Sequence, residues 1–126
     1  FEDGRGNVRT KNDIEMDGFG VWSFSNSVSP KQIKRLLKKN KIEIDDIDLF
    51  IFHQASLMTL ESIMKILKID EQKAFINIRN IGNTVSSSIP IALKDAIDQD
   101  KIINGSWVVL SGFGVGLSYG TILMRF

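Results

Sequence analysis

The sequence predicts an α/β fold, a mixed β-sheet covered by α-helices and closed by an antiparallel pair of strands. Three observations carry this. The continuous apolar runs "LFIF" at 49–52 and "WVVL" at 107–110 read as strands buried on both faces, the pattern of parallel strands under helices. Between them lie two stretches with apolar residues at helical spacing. After the second run, Gly112, Gly114, Gly116 and Gly120 place a tight turn before a last strand, where glycine permits positive φ or close approach of backbone to a ligand.

The elements follow in order. The first twenty residues are polar and glycine-rich, with turn signals at Asp3-Gly4 and Asp17-Gly18, and predict loop or short extended structure. "GVWSFSN" alternates, with Val21 on one side and Trp22 and Phe24 on the other, and predicts a short strand or turn. "SPKQIKRLLKKN" predicts a helix with Ser29 as N-cap, Pro30 at the first helical position and Ile33, Leu36 and Leu37 as its apolar stripe. Lys38, Lys39 and Lys41 fall where the helix dipole favours cations; a solvated face accounts for them, with a phosphate-facing patch as the alternative. Asp45 and Asp46 mark a turn before "LFIF". Leu57, Leu60, Met64 and Leu67 define the next helix, and "KAFINI" the next strand. "GNTVSSSIPIALKDAIDQ" predicts a helix with Ile89, Leu93, Ala96 and Ile97 on one face. Pro90 is awkward inside it, and the small residues Thr84, Ser86, Ser87 and Ser88 suggest close packing near its start. "NGS" turns the chain into the "WVVLSGFG" strand. There is no internal repeat.

Length and composition bound the function. A chain of 126 residues is one domain or half of a larger one, and 43% hydrophobic with 25% charged residues is enough to bury a core. A net charge of +1 gives no basic field for nucleic acid. No apolar run approaches ~20 residues, so no transmembrane helix is expected, and the charged opening "FEDGRGNVRTKNDIEMDG" is no secretory signal. The chain does not begin with Met and reads as a piece of a longer protein. It has no cysteine, which rules out disulfides, thiolate metal ligands and a cysteine nucleophile within these residues, and fits the cytoplasm.

Chemistry in open α/β sheets gathers at strand ends. Three features fall there: His53, the only histidine, directly after "LFIF"; Asn83, in "IGNT" at a helix start; and the "GFGVG" turn. Each has an ordinary structural explanation when read alone: a boundary histidine, a turn or N-cap asparagine, a hairpin device. Held side by side, a histidine and an asparagine both donate hydrogen bonds and can stabilise an enolate oxygen, while the turn offers a backbone N–H to a second oxyanion.

In this order, "DLFIFHQAS", "NIGNT" with "SIPIAL", and "VVLSGFGVGLSYGTILMRF" resemble the C-terminal half of the β-ketoacyl-acyl carrier protein synthase III family, condensing enzymes of the thiolase fold. The resemblance runs from about Met16 to the last residue. It implies a thiolase-like half within a five-layer αβαβα architecture, with residues 1–126 as the C-terminal domain, residues 1–15 as a polar lead-in and the nucleophilic cysteine in an absent N-terminal half. It implies an acyltransferase of fatty acid biosynthesis: a cysteine is acylated from acyl-CoA or a similar thioester, malonyl-acyl carrier protein is decarboxylated, and the enolate attacks the acyl-cysteine. His53 and Asn83 match the family's catalytic pair, whose N–H groups hold the malonyl thioester oxygen; loss of one such donor costs roughly 3–4 kcal/mol of transition-state stabilisation. The Val115 N–H matches the oxyanion-hole amide, and Gly114 and Gly116 flank it. Gly18, Trp22, Ser56, Gly114 and Gly116 match the pantetheine channel. No metal or cofactor is implied beyond the phosphopantetheine arm of the substrates. The partners implied are acyl carrier protein and a second copy in a homodimer, in the cytoplasm, with no nucleic acid or membrane. Alternatives within the fold are an acyltransferase onto a hydroxyl or amine, or a polyketide-type synthase; outside it, a non-catalytic subunit. This chain departs from the pattern at Ser56, usually asparagine, at Met58, usually basic, at Val115, often glycine, and at Trp22, often phenylalanine.

Overall fold

A computed structural model describes residues 2, 4 and 6–126. Asp3, half of the first expected turn, lies outside the described residues. Among the described residues four α-helices, α1 (Gly18–Asn40), α2 (Leu57–Leu67), α3 (Ile78–Ile81) and α4 (Ser88–Asp98), accompany three strands, β1 (Leu49–Phe52), β2 (Trp107–Gly114) and β3 (Ser118–Arg125). The strands form one sheet in the order β1-β2-β3. β1 runs parallel to β2, with Leu49 opposite Val108 and Phe52 opposite Ser111. β2 and β3 are antiparallel, from Trp107 opposite Arg125 to Gly114 opposite Ser118. The expected mixed sheet with a closing antiparallel pair is therefore present.

Alternation along β1 and β2 divides the core in two. Phe50, Phe52, Val109 and Phe113 face one side and pack with Ile33 and Leu37 of α1 and Leu60, Ile63, Met64 and Leu67 of α2. Leu49, Ile51, Val108 and Leu110 face the other and pack with Ala92 and Ala96 of α4. Both faces of "LFIF" are covered, which explains why the run is continuous rather than alternating. Burying a large apolar side chain contributes roughly 1.5–3 kcal/mol, so the fully buried Phe50 and Phe52 are leading contributors. Among the described residues no helix is long and apolar enough to cross a membrane.

Several expectations need correction. "GVWSFSN" is not a strand: α1 begins at Gly18 and runs unbroken through Pro30. Asp17 is therefore a cap rather than a turn residue; its carboxylate accepts from the Gly20 N–H at 2.9 Å. Ser29 is not a cap. The buried stripe of α1 is Ser25, Ser29, Ile33 and Leu37, four residues apart, and Ser29 Oγ meets Ser111 Oγ of β2 at 2.8 Å. Pro30 lies inside this helix and has no N–H for the Asn26 carbonyl one turn before it; in that preceding turn the Ser25 and Asn26 side chains bond back to the carbonyls of Val21 and Trp22.

"KAFINI" is not a strand either. It makes a single parallel bridge, Ala74 to Phe50, with the Phe75 N–H donating to the Phe50 carbonyl at 2.9 Å. Beyond it the Gln54 side chain takes the Asn77 and Ile78 N–H groups, and the chain turns into α3. In α4 the buried stripe is Ser88, Ala92 and Ala96; Ile89 and Leu93 are half-buried and Ile97 is exposed. Pro90 is unproblematic, because α4 starts at Ser88 and the first-turn N–H groups have no intrahelical acceptor.

Candidate active site

The sequence places His53 directly beyond β1, and the ladder continues to it: its N–H donates to the Ser111 carbonyl at 2.8 Å. The imidazole is half-buried between two neighbours. Nδ1 lies 2.6 Å from Ser88 Oγ, and the ring meets Phe113 edge-on at 5.6 Å between centroids. Burial pushes the His53 pKa below the ordinary histidine value, so the neutral ring prevails at pH 7.

Gln54 anchors this corner. It is 1% exposed and uses both ends of its amide. Nε2 donates to the carbonyls of Phe52 and Phe75, at 2.9 and 3.2 Å, and Oε1 accepts from the N–H groups of Asn77 and Ile78, at 3.2 and 3.3 Å. The strand end carrying His53 is thereby tied to the segment that leads towards Asn83.

Asn83 lies in the loop between α3 and α4. Its Oδ1 accepts from the Val85 N–H at 2.9 Å and holds Val85 at φ 53. Its Nδ2 reaches the Ala55 carbonyl at 3.4 Å, two residues past His53. A second Nδ2 hydrogen remains to be donated. His53, Asn83, Gly114 and Val115 line one open cavity of about 590 Å³, together with Met16, Ser88, Phe113 and Tyr119. Gly116, at φ 142 in the same β2–β3 turn, takes a conformation other residues rarely adopt.

Gly18, Trp22 and Ser56 do not line this cavity. Gly18 opens α1. Trp22 stacks on Phe19 at 6.0 Å, and its buried Nε1 has no hydrogen-bond partner among the described residues. Ser56 is the N-cap of α2; its Oγ accepts from the Thr59 N–H at 3.2 Å and meets Thr59 Oγ1 at 2.8 Å, so its hydroxyl serves the helix end. Sequence reasoning passed over Gln54, Ser88 and Phe113 as neighbours of His53. The small-residue run before Pro90 signalled close packing at Ser88, and nothing in it signalled a histidine partner.

The profile described as 3-oxoacyl-[acyl-carrier-protein (ACP)] synthase III C terminal matches residues 37–126. The chain is similar to the β-ketoacyl-[acyl-carrier-protein] synthase III of Porphyra umbilicalis, 44% identical over 112 residues, which are 89% of this chain and 34% of that protein. The synthase III of Clostridium perfringens is 38% identical over 125 residues, 99% of this chain and 38% of that protein. A crystal structure of 3-oxoacyl-(acyl-carrier-protein) synthase III superposes on 100% of this chain and 37% of its own, at 37% identity and a TM-score of 0.94. The chain spans about a third of the length of the curated relatives it matches. With the mixed sheet, its covering helices and these matches, the chain belongs to the 3-oxoacyl-[acyl-carrier-protein] synthase III family and forms part of a thiolase fold.

Proposed function

We propose that this chain supplies the malonyl-binding side of a decarboxylating condensing site. The observation that carries the reading is the convergence of His53, Asn83 and the Gly114–Val115 turn on one cavity, with a neutral imidazole. A malonyl thioester bound there loses its carboxylate as CO2. The electron pair of the broken carbon–carbon bond moves onto the thioester oxygen as an enolate. N–H groups of His53 and Asn83 donate to that oxygen more strongly as its charge grows, which lowers the barrier rather than merely tightening binding. The enolate carbon then attacks an acyl-cysteine carbonyl, and the cysteine leaves as thiolate. The Val115 N–H is assigned to the oxyanion formed at that carbonyl.

No cysteine is present in these 126 residues, so the nucleophile must come from another segment, and this chain alone is expected not to condense substrates. Malonyl-acyl carrier protein and an acyl-CoA are the proposed substrates, each delivered on a phosphopantetheine arm, in a cytoplasmic homodimer of the longer protein. Decarboxylation of a labelled malonyl thioester by a longer protein carrying this chain tests the reading. His53→Ala and Asn83→Ala are each expected to lower kcat by about 100-fold or more. An unimpaired rate in either variant, or turnover by the 126-residue chain itself, removes it.

A further inference from the structure

We propose that the Ser88 hydroxyl is a positioning residue that selects the tautomer of His53, keeping the proton on Nε2 and the lone pair on Nδ1. The inference deepens the condensing-site reading and rests on it only for its catalytic consequence.

Ser88 is 2% exposed, so its hydroxyl cannot turn to solvent. Its Oγ has two partners among the described residues: His53 Nδ1 at 2.6 Å and the Gln54 backbone nitrogen at 3.4 Å. The Gln54 N–H only donates, and therefore takes a lone pair of Oγ. The single hydroxyl proton is left with one acceptor within reach, His53 Nδ1. If Nδ1 carried the hydrogen, the hydroxyl would accept twice and its own proton would be buried without a partner. An unsatisfied buried donor is disfavoured by about tenfold or more.

A second observation points the same way. Ser88 is the first residue of α4, an eleven-residue helix, and a helix N-terminus carries partial positive charge. That end favours a lone pair facing it over an N–H. Phe113 meets the ring edge-on from another side and offers it no polar partner. Ser88 thus takes up Nδ1 and leaves Nε2–H as the hydrogen His53 has to offer. In the proposed mechanism a donor is what the enolate oxygen needs; the opposite tautomer would present a lone pair to a growing negative charge.

The chain has one histidine, so a long-range proton–nitrogen NMR spectrum of the 126-residue protein contains a single imidazole. Above the His53 pKa the wild type is expected to show Nε2 protonated and Nδ1 bare. Ser88→Ala, which continues the small buried stripe of Ala92 and Ala96, is expected to lower the ratio of Nε2–H to Nδ1–H about tenfold, the value of one ordinary hydrogen bond. Ser88→Thr, which retains a hydroxyl, is expected to restore it. Nδ1–H in the wild type overturns the proposal without any variant, and so does an unchanged ratio in a folded Ser88→Ala protein. In the longer protein, Ser88→Ala is expected to lower kcat for malonyl decarboxylation about tenfold with KM unchanged, and Ser88→Thr to recover it. A tautomer that shifts as expected in a protein that decarboxylates nothing would sustain the role of Ser88 and refute the condensing-site reading.

Discussion

Gln54, at the carboxyl end of β1, is 1% exposed and uses every hydrogen-bonding face of its amide; Val115, in the turn that joins β2 to β3, is 92% exposed, and its carbonyl accepts from the nearby Ser118 hydroxyl at 2.8 Å. Both regions border the same cavity, yet they are built differently. Beyond β1 it is a side chain, the His53 imidazole, that has to be aimed, and buried polar neighbours aim it. In the β2–β3 turn the group proposed to act is a main-chain N–H, for which the identity of the side chain matters little. A glycine-rich turn suffices there, because φ rather than packing sets the direction of the amide.

The comparison breaks most readily at Gln54. Gln54→Leu fits a similar volume but leaves the carbonyls of Phe52 and Phe75 and the N–H groups of Asn77 and Ile78 without their partner. The expected loss is about 3 kcal/mol or more in denaturant unfolding, since each stranded buried group costs on the order of 1–3 kcal/mol. A loss below about 1 kcal/mol would mean that the corner is held by something else. Gly116→Ala probes the other region. At φ 142 a Cβ would come within 3.0 Å of the Ser118 nitrogen, and about 1–2 kcal/mol of destabilisation is expected. Equal stability of wild type and variant would show that the turn relaxes freely.

The smallest expected effect concerns protons. Burial lowers the His53 pKa in the folded state, so between that value and the ordinary one near ~6.5 the unfolded chain binds more protons. The His53 contribution is present above the ordinary pKa and is lost as pH falls through the folded value. Stability measured from pH 7 down to 5 is therefore expected to fall more steeply in the wild type than in His53→Gln. Parallel curves would place the imidazole in a wetter setting than the fold suggests.

How legible these regions were in the sequence follows from what built them. β1, β2 and α2 announce themselves because large apolar side chains fill both sides of the sheet. The first half of α1 does not. Its buried stripe there is Ser25 and Ser29, so the helical period carries no hydrophobic signal, and Pro30 reads as a beginning when it is an interior residue. "KAFINI" carries strand residues, but Gln54 diverts the chain after a single bridge, a contact made across twenty-odd positions. His53, Asn83 and Val115 were legible as a set, and the fold brings all three to one cavity. Ser88 was not legible as the partner of His53, because 35 residues separate them and serine is as ordinary as any small residue. The hydroxyl of Ser56 caps α2, a local role that the sequence also carries in the serine just before "LMTLES".

The parallel join of β1 to β2 also bears on how the chain comes into being. Leu49 waits for Val108, and the His53 amide for the Ser111 carbonyl, so the partners that seat the imidazole leave the ribosome well after β1 itself. Helices α1 and α2 have their sequences complete long before that, while β1 still lacks its neighbour. Such distant pairings are slow to form, since the intervening segment must be ordered before any contact repays it. Until β2 arrives, "LFIF" is an apolar strand with a bare edge, the kind of segment that nascent-chain chaperones shield. The histidine therefore meets the Ser111 carbonyl only after β2 has been made.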